Sequence, residues 1–286
     1  MALVPATSQF APEVWVALAA LLGLAVGSFL NVVIHRLPRM LEREWQRQCA
    51  ALSGQEPGPE PAYNLFVPRS SCPQCGHAIR WYENIPLLSF ALLKGRCAAC
   101  AQPIGWRYPL VEAVSALFAG YCVWHFGPTA QAAAASLLLW ALLALAMIDL
   151  DTHLLPDRIT QPLVWGGLLA NWQGVFVPLA DALIGAVAGY LALWTVYHAF
   201  RLATGKEGMG YGDFKLLAAL GAWLGWQKLP LIVLASSLMG AVFGLLLIGL
   251  AGHDHARPIP FGPWLALGGA LALLWGDGLL RLYLGA

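Results

Sequence analysis

Two aspartates at the ends of apolar runs are the residues of this chain best suited to chemistry. Asp149 closes the run 128–148, and Asp213 opens the run that continues to Trp226. A carboxylate at the centre of a membrane helix costs about 2.5–3.5 kcal/mol on insertion scales, so acids in such runs are functional candidates. Two adjacent carboxylates can share a proton, one activating water as a base and the other polarising a carbonyl as an acid. The pair therefore predicts aspartic-protease chemistry.

Each acid also has a purely structural interpretation. Asp149 could be an interfacial acid that terminates its helix, and Asp213 could be the N-cap of the helix that follows. Asp157, after a proline, is expected to be a cap or turn residue. Asp151 lies two residues from Asp149 and therefore on a different helical face, where we expect solvent.

Three glycines precede the second acid. Gly208, Gly210 and Gly212 fall within the six residues that end at Asp213. Glycine permits positive φ and lets two backbones approach closely. We therefore expect an active-site loop that carries the acid to its partner and leaves room for an extended substrate.

Four cysteines form two C-x-x-C pairs with 21 residues between the inner cysteines, namely Cys72, Cys75, Cys97 and Cys100. This spacing is close to that of zinc ribbons and predicts a structural zinc ion held by four thiolates. Two disulfides or a redox dithiol are the alternatives, and a cytosolic location disfavours both. His77 could replace a cysteine ligand but is expected to be a surface histidine, and Cys49 and Cys122 are expected to take no part.

The composition identifies a membrane protein. The chain is 59% hydrophobic and 11% charged, with 13 Trp, whereas soluble domains are about 25% charged. Apolar runs long enough to cross about 30 Å of hydrocarbon predict an all-α polytopic fold of about eight transmembrane helices, at 12–34, 108–125, 128–148, 159–177, 181–200, 213–226, 229–250 and 261–284.

Basic residues predict the orientation, because Lys and Arg of short loops stay on the cytoplasmic side. With the N-terminus outside, only Lys228 and Arg281 lie outside, and fourteen others lie inside. The first run lacks a preceding basic residue and a cleavage site, so we expect a retained helix and no signal peptide. Topology explains the basic residues, and the net charge of +1 gives no indication of a nucleic-acid partner.

These patterns predict three regions. Residues 1–34 form a first transmembrane helix, 35–107 a cytoplasmic zinc-binding domain, and 108–286 a seven-helix membrane bundle. The first part of the polar region contains a helix-like stretch at 40–49, and the Pro- and Gly-rich segment 54–61 is typical of a linker.

The motifs, in this order, resemble those of the bacterial type IV prepilin peptidases, which are GxGD-type membrane aspartyl proteases. The resemblance covers nearly the whole chain and is carried by Gly27-Ser28-Phe29-Leu30-Asn31, Arg36-Leu37-Pro38, the cysteine pairs, Glu83-Asn84-Ile85-Pro86, Arg107-Tyr108-Pro109-Leu110-Val111-Glu112, Asp149 to Asp157 and Gly208 to Lys215.

The resemblance implies an inner-membrane enzyme that removes the leader peptide of type IV prepilins or type II secretion pseudopilins. It implies Asp149 and Asp213 as the catalytic pair and the four paired cysteines as the zinc ligands. It also implies methylation of the new N-terminal residue with S-adenosylmethionine as methyl donor.

The residues alone do not identify the site that binds the methyl donor, because no G-x-G-x-x-G motif follows a strand. We expect that site where 35–107 meets the membrane, with Glu83, Asn84, Arg107 and Glu112 as candidates. Structural ion pairing is the alternative for each of these residues, for instance between Glu112 and Arg107.

Three other functions stay open at this point. The chain could be a peptidase without methyltransferase activity. It could be a transporter whose acids relay protons, although such acids belong at the bilayer midplane and these cluster at one face. It could be a thiol oxidoreductase, although the basic residues place the cysteine pairs inside.

Overall fold

The computed structural model describes residues 11–54, 61–251 and 260–284, and the backbone of this part of the chain is almost entirely helical. In these ranges the β-structure consists of two isolated antiparallel bridges, between Ser71 and Ala78 and between Arg96 and Pro103. The α-helices are α1 Pro12–Leu52, α2 Leu88–Leu92, α3 Arg107–Phe126, α4 Ala130–Thr152, α5 Asp157–Trp172, α6 Leu179–Thr204, α7 Tyr211–Leu224, α8 Leu229–Ala251 and α9 Gly262–Leu284. Short 3-10 turns occupy Trp81–Asn84 and Trp226–Lys228.

Six helices of the described chain are long and apolar enough to cross a membrane, namely α1, α3, α4, α6, α8 and α9. The polytopic all-α fold is thereby confirmed. All eight predicted runs are helical, and the count of eight spans stays a prediction. The two runs outside this set form the shorter helices α5, of 16 residues, and α7, of 14.

Helix α7 is a buried core helix. From Asp213 to Leu224 every residue except Lys215 is buried. Its backbone touches that of α6, since a Cβ atom added at Gly185 would overlap the carbonyl of Gly221 and the reverse also holds. Asn171 of α5 binds it as well, donating to the carbonyl of Ala222 at 2.8 Å. A helix held by backbone contacts on two sides fixes the position of the acid near its first turn.

The first helix continues beyond its predicted membrane segment. Helix α1 runs unbroken for 41 residues with Pro38 inside it, so the membrane segment and the helix-like stretch after it are one helix. A proline inside a helix removes one hydrogen bond and crowds the preceding turn. The turn is supported here by packing, because Arg36 and Leu37 are buried.

The chain divides into two compact units, residues 1–140 and 141–286, and the division falls inside α4. In unit 1, α1 and α3 are in close backbone contact, because a Cβ atom at Gly23 or Gly27 would lie 2.7 Å from a Cα atom of α3. Ser115 of α3 donates to the carbonyl of Gly23 at 2.6 Å. Because the polar region is part of the same unit as its flanking helices, the predicted division at 34 and 107 is not a boundary in packing and stays a functional prediction.

Candidate active site and metal centre

Asp149 lies near the end of α4, in unit 2, with its side chain held from α9. The residue is 5% exposed, and its Oδ2 accepts the backbone N–H of Gly262 at 3.0 Å. Gly262 is the first residue of α9, where N–H groups have no partner inside the helix and the dipole favours a negative charge. The amide of Gly262 therefore favours the ionised form of Asp149 against the cost of its burial, and the residue does not simply terminate its helix.

Asp213 is the third residue of α7 and is 7% exposed. Gly210 occupies the N-cap position, so the interpretation of Asp213 as an N-cap is wrong. Its Oδ1 is buried without a hydrogen-bond partner in the described part of the chain. A buried carboxyl oxygen without a donor is costly as an anion, so Asp213 is suited to holding a proton or binding a polar group of a substrate.

The structure brings the two acids together. The segments that carry them both contact Leu155. A Cβ atom at Gly212 would lie 2.6 Å from Cβ of Leu155, and one at Gly262 would lie 3.1 Å from its Cδ2. Leu155 therefore packs against both the neighbour of Asp213 and the amide that binds Asp149.

The glycines of the loop act by close approach and not by unusual backbone angles. None of the three adopts positive φ, so the close approach that glycine permits is the property used here. Gly212 is required by contact with Leu155, and a Cβ atom at Gly208 would lie 2.9 Å from the ring of Phe200. At Gly210 an added Cβ would be in ordinary contact with Oδ2 of Asp213, at 3.8 Å.

The neighbouring acids have other surroundings. Asp157 begins α5, and both of its carboxylate oxygens accept the ammonium of Lys215, at 2.6 and 2.8 Å. This pair joins the start of α5 to the start of α7, two residues from Asp213. Asp151 is exposed at the end of α4, as expected from its helical face.

The four paired cysteines of unit 1 form one cluster. Their Sγ atoms all lie within 4.8 Å of one another, and those of Cys72 and Cys100 are 3.8 Å apart. Tetrahedral zinc with Zn–S bonds of about 2.3 Å requires sulfur atoms about 3.8 Å apart. The donor set therefore fits a zinc ion.

The two cysteine knuckles have the same local fold. The backbone N–H of Cys72 donates to the carbonyl of His77 at 2.9 Å, and the backbone N–H of Cys97 donates to the carbonyl of Gln102 at 2.9 Å. The residue after each second cysteine, Gly76 or Ala101, has positive φ. This turn directs both thiols of a knuckle to the same side, which is what shared coordination of one ion needs.

The local backbone prepares the thiols for a cation. The N–H groups of Cys75 and Gln74 lower the pKa of the Cys72 thiol to about 6, and those of Cys100 and Ala99 lower the pKa of Cys97. At Cys100 the N–H of Gln102 acts in the same direction, but desolvation and the other three thiols outweigh it and raise the pKa to about 12. The cluster thus shares protons that a bound dication would displace.

The remaining thiols and His77 lie outside the cluster. His77 contacts the carboxylate of Glu83 at 3.1 Å, which leaves the four sulfurs as the ligand set. Cys49 is exposed on α1 and Cys122 is buried in α3. Neither belongs to the group of potential metal ligands.

A cavity of about 500 Å³ lies in unit 1 between the knuckles and helices α1 and α3. Three of the four candidates for the methyl-donor site line it, namely Glu83, Asn84 and Glu112, and Arg107 does not. Glu112 is 9% exposed and accepts the N–H of Leu87 at 2.9 Å. The predicted junction with the membrane helices therefore contains a cavity whose mostly apolar lining includes three of the four candidates.

Sequence reasoning missed two residues of the acid site, Gly262 and Leu155. Gly262 is 113 residues from Asp149, and its signal is the sequence Pro260-Phe261-Gly262-Pro263 just before the last apolar helix. A helix N-terminus on the same side as two buried acids is the observation that could have identified it.

Comparison with known proteins gives one consistent family. Residues 21–126 match the bacterial peptidase A24 N-terminal domain, and 136–245 match the type IV leader peptidase family. Proteins named prepilin leader peptidase/N-methyltransferase are similar along nearly their whole length. That of Pseudomonas aeruginosa is 57% identical over 96% of this chain and 94% of its own.

Two Aeromonas proteins with the same name give the same result. That of Aeromonas salmonicida is 59% identical over 96% of this chain and 95% of its own, and that of Aeromonas hydrophila is 57% identical over 99% of each. No solved structure matches significantly. With this identity over this length, the chain belongs to the type IV leader peptidase family.

Proposed function

We propose that this chain is a membrane-embedded aspartic endopeptidase that removes the leader peptide of type IV prepilins or type II secretion pseudopilins. It then methylates the new N-terminal residue with S-adenosylmethionine. The observation that carries the hydrolytic function is the pair of buried acids on α4 and α7, Asp149 and Asp213, 5% and 7% exposed. The relatives' name supports both activities.

The different surroundings of the two acids support different roles. Asp149, which accepts the N–H of Gly262, is the ionised base that takes a proton from water. Asp213, whose Oδ1 has no donor among the described residues, is the protonated acid that donates to the carbonyl oxygen of the substrate. The water oxygen attacks the carbonyl carbon as these two protons move.

Collapse of the tetrahedral intermediate completes the reaction. The carbonyl double bond forms again and returns its proton to Asp213, while the C–N bond breaks and the leaving nitrogen takes the proton from Asp149. No covalent bond to the enzyme forms, and both acids regain their starting protonation.

The membrane location completes the proposal. The six apolar helices require a bilayer, and the distribution of basic residues supports an inner-membrane protein with its N-terminus outside. The cysteine domain and both acids then lie at the cytoplasmic face. A prepilin whose leader stays in the cytosol while its apolar helix enters the membrane would present its scissile bond at this depth.

Two bound groups belong to the proposed enzyme. The residues that would hold zinc are Cys72, Cys75, Cys97 and Cys100, whose sulfur spacing fits tetrahedral coordination and whose role is to fold the small domain. S-adenosylmethionine, when bound, would supply an electrophilic methyl group for the new amino terminus.

The test uses the full-length protein in lipid nanodiscs and a purified prepilin. We expect Asp149→Asn and Asp213→Asn each to lower the cleavage rate by at least about 10²-fold, because each removes one of the two proton-transfer groups. The products are resolved by mass spectrometry. Asp151→Asn, an exposed acid on the same helix as Asp149, is the matched control and should cleave normally. Near-normal cleavage by either Asp149→Asn or Asp213→Asn would rule out the proposed pair.

A further inference from the structure

A stripe of exposed apolar side chains runs along α3 and marks the depth of this helix in the membrane. Its members are Trp106, Leu110, Leu117 and Trp124, all exposed, and their spacing of four and seven residues puts them on one helical face. Tryptophan is enriched at both membrane–water interfaces. The two tryptophans are 18 residues apart, which is about 27 Å at 1.5 Å per residue and close to the hydrocarbon thickness of about 30 Å. These spacings place Trp106 at the interface where α3 enters the bilayer.

The short helix α2 lies beside this end of α3. The ring of Phe90 in α2 packs on the ring of Trp106, with 5.0 Å between the centroids. The backbone N–H of Leu87, the N-cap residue of α2, donates to the carboxylate of Glu112 at 2.9 Å. Glu112 lies beyond Trp106 toward the interior of the span. These two contacts hold α2 at about the depth of Trp106.

Helix α2 has two different faces. Ser89 and Leu93, four residues apart, line the cavity of unit 1, and Ser89 is buried. Leu88 and Leu92, also four residues apart, lie outside that lining and are 53% and 73% exposed. Residues at i and i+4 share one face of a helix. The face of α2 that points away from the cavity therefore presents two leucines at the depth of the membrane interface.

The turn into α2 is fixed by α3. Leu87 has a φ of 57°, which is uncommon for a residue with a bulky side chain. Such a backbone conformation persists where the surrounding structure determines it, and here the bond from its N–H to Glu112 does so. The N–H of the next polar residue, Ser89, donates to the carbonyl of Ile85 at 3.0 Å. The start of α2 thus has its backbone donors paired inside the protein, as entry into a bilayer requires.

Positive charge follows the two leucines directly. Lys94 and Arg96 come just after α2 and are exposed, and Glu83 is the single acid in the sequence from 61 to 107. Basic residues at the level of the headgroups are attracted to anionic phospholipids. Leucines next to exposed cations are typical of a segment that lies in the plane of the membrane interface.

We propose that α2 is an interfacial helix, seated in the lipid leaflet that surrounds the start of α3. Leu88 and Leu92 lie among the acyl chains, and the basic residues that follow them lie at the lipid headgroups. The partner of this face is phospholipid, because the contact of Phe90 with Trp106 makes the face continuous with the exposed apolar stripe of α3. The inference goes beyond the proposed reaction and depends only on the membrane location of the six apolar helices.

The lipid contact also positions the cysteine knuckles. The second knuckle begins at Cys97, just after α2. The N–H of Gly95 donates to the carbonyl of Phe90 at 2.8 Å, and a Cβ atom at Gly95 would lie 3.0 Å from the ring of Phe90. The link between α2 and the knuckle is therefore tight. A membrane-seated α2 holds this knuckle against the bilayer surface, so the polar region is not a freely moving cytoplasmic domain.

The test places a photoreactive side chain on the exposed face of α2 in the full-length protein. Leu92→p-benzoylphenylalanine and, separately, Leu88→p-benzoylphenylalanine are reconstituted in nanodiscs of phosphatidylglycerol and phosphatidylethanolamine. After irradiation, mass spectrometry of the intact protein measures the yield of phospholipid adducts. We expect adducts at both positions, within about threefold of the yield from the same replacement at Leu117, an exposed residue in the middle of α3.

Gln48 is the matched control for an aqueous position. It is exposed on α1 and lies about 21 Å beyond residue 34 at 1.5 Å per residue, so the same replacement there should give at least about tenfold fewer lipid adducts. Zinc content and elution on gel filtration confirm that each labelled protein is folded. Adducts at Leu117 without adducts at either α2 position would overturn the proposal. Crosslinks from α2 to a second copy of the chain in place of lipid would overturn it as well.

Discussion

The two units organise their polar groups in contrasting ways. In unit 2, Asp149 and Asp213 are held by long-range packing of apolar helices and by one backbone amide, that of Gly262. In unit 1, four thiols gather through two short knuckles, and they border an open cavity with charged walls. The site of unit 2 depends on tertiary helix contacts, whereas the sulfur cluster of unit 1 depends on local turns.

This contrast teaches that the two proposed activities should be separable. Residues 141–286 contain no cysteine, and all six cysteines lie in unit 1. Removal of metal or modification of thiols therefore acts on unit 1 first. Substitutions at the acids leave the cavity residues unchanged.

The largest effect is expected from loss of the metal. In Cys72→Ser with Cys97→Ser, one ligand is lost from each knuckle, and zinc should fall from about one ion per chain to none, because structural zinc sites need their full ligand set. Donor binding should disappear, while cleavage falls much less. Elemental analysis and equilibrium dialysis measure the first two quantities. Full zinc content in this variant would contradict the proposed ligand set, and Cys49→Ser with Cys122→Ser is the matched control.

A smaller effect is expected from Gly262→Ala, which acts on unit 2 alone. The added Cβ would lie 2.6 Å from Oδ2 of Asp149, so the carboxylate must move away from its amide donor. Loss of one hydrogen bond to a charged group costs about 1.5–3 kcal/mol, and we expect cleavage to fall roughly 10- to 100-fold.

The rate of cleavage of a purified prepilin measures this effect. Binding of the methyl donor by the Gly262→Ala variant should equal that of the wild type. Gly278→Ala, on the same helix with no atom within 4 Å of the added Cβ, is the control. Equal cleavage by the two alanine variants would show that the contact with Asp149 has no role.

The smallest effect is expected at the ion pair of Asp157 and Lys215. The two side chains are 53% and 29% exposed, and exposed pairs contribute about 0.2–1 kcal/mol. Asp157→Asn should lower the melting temperature slightly at low salt and not at high salt, because salt screens the pair. A large loss of cleavage independent of salt would instead assign Asp157 a direct part in catalysis.

The sequence predicted those features that depend on local pattern. Apolar runs located all eight long helices of the described chain, whereas the position of Asp149 and Asp213 at one membrane face stays a prediction. The C-x-x-C spacing alone predicted the sulfur cluster. These signals are readable because each lies within one run or one knuckle.

Contacts between residues far apart in the chain could not be predicted from the sequence. The amide of Gly262 binds an acid 113 residues away, and no local pattern encodes that pairing. The side chain that requires Gly212 to be glycine is that of Leu155, and no local pattern identifies that contact. The buried side chains of Arg36 and Leu37 beside Pro38 in the continuous helix α1 likewise reflect packing against other parts of the chain.

The most direct test of the separation between the units uses the double variant Asp149→Asn with Asp213→Asn in nanodiscs. The enzyme receives intact prepilin and pre-cleaved pilin in parallel with S-adenosylmethionine, and mass spectrometry determines both N-termini. We expect intact prepilin to remain uncleaved and pre-cleaved pilin to gain one methyl group at the wild-type rate. Cleavage of prepilin, or loss of methylation in a folded, zinc-loaded variant, would contradict the assignment of the two activities to two separate sites.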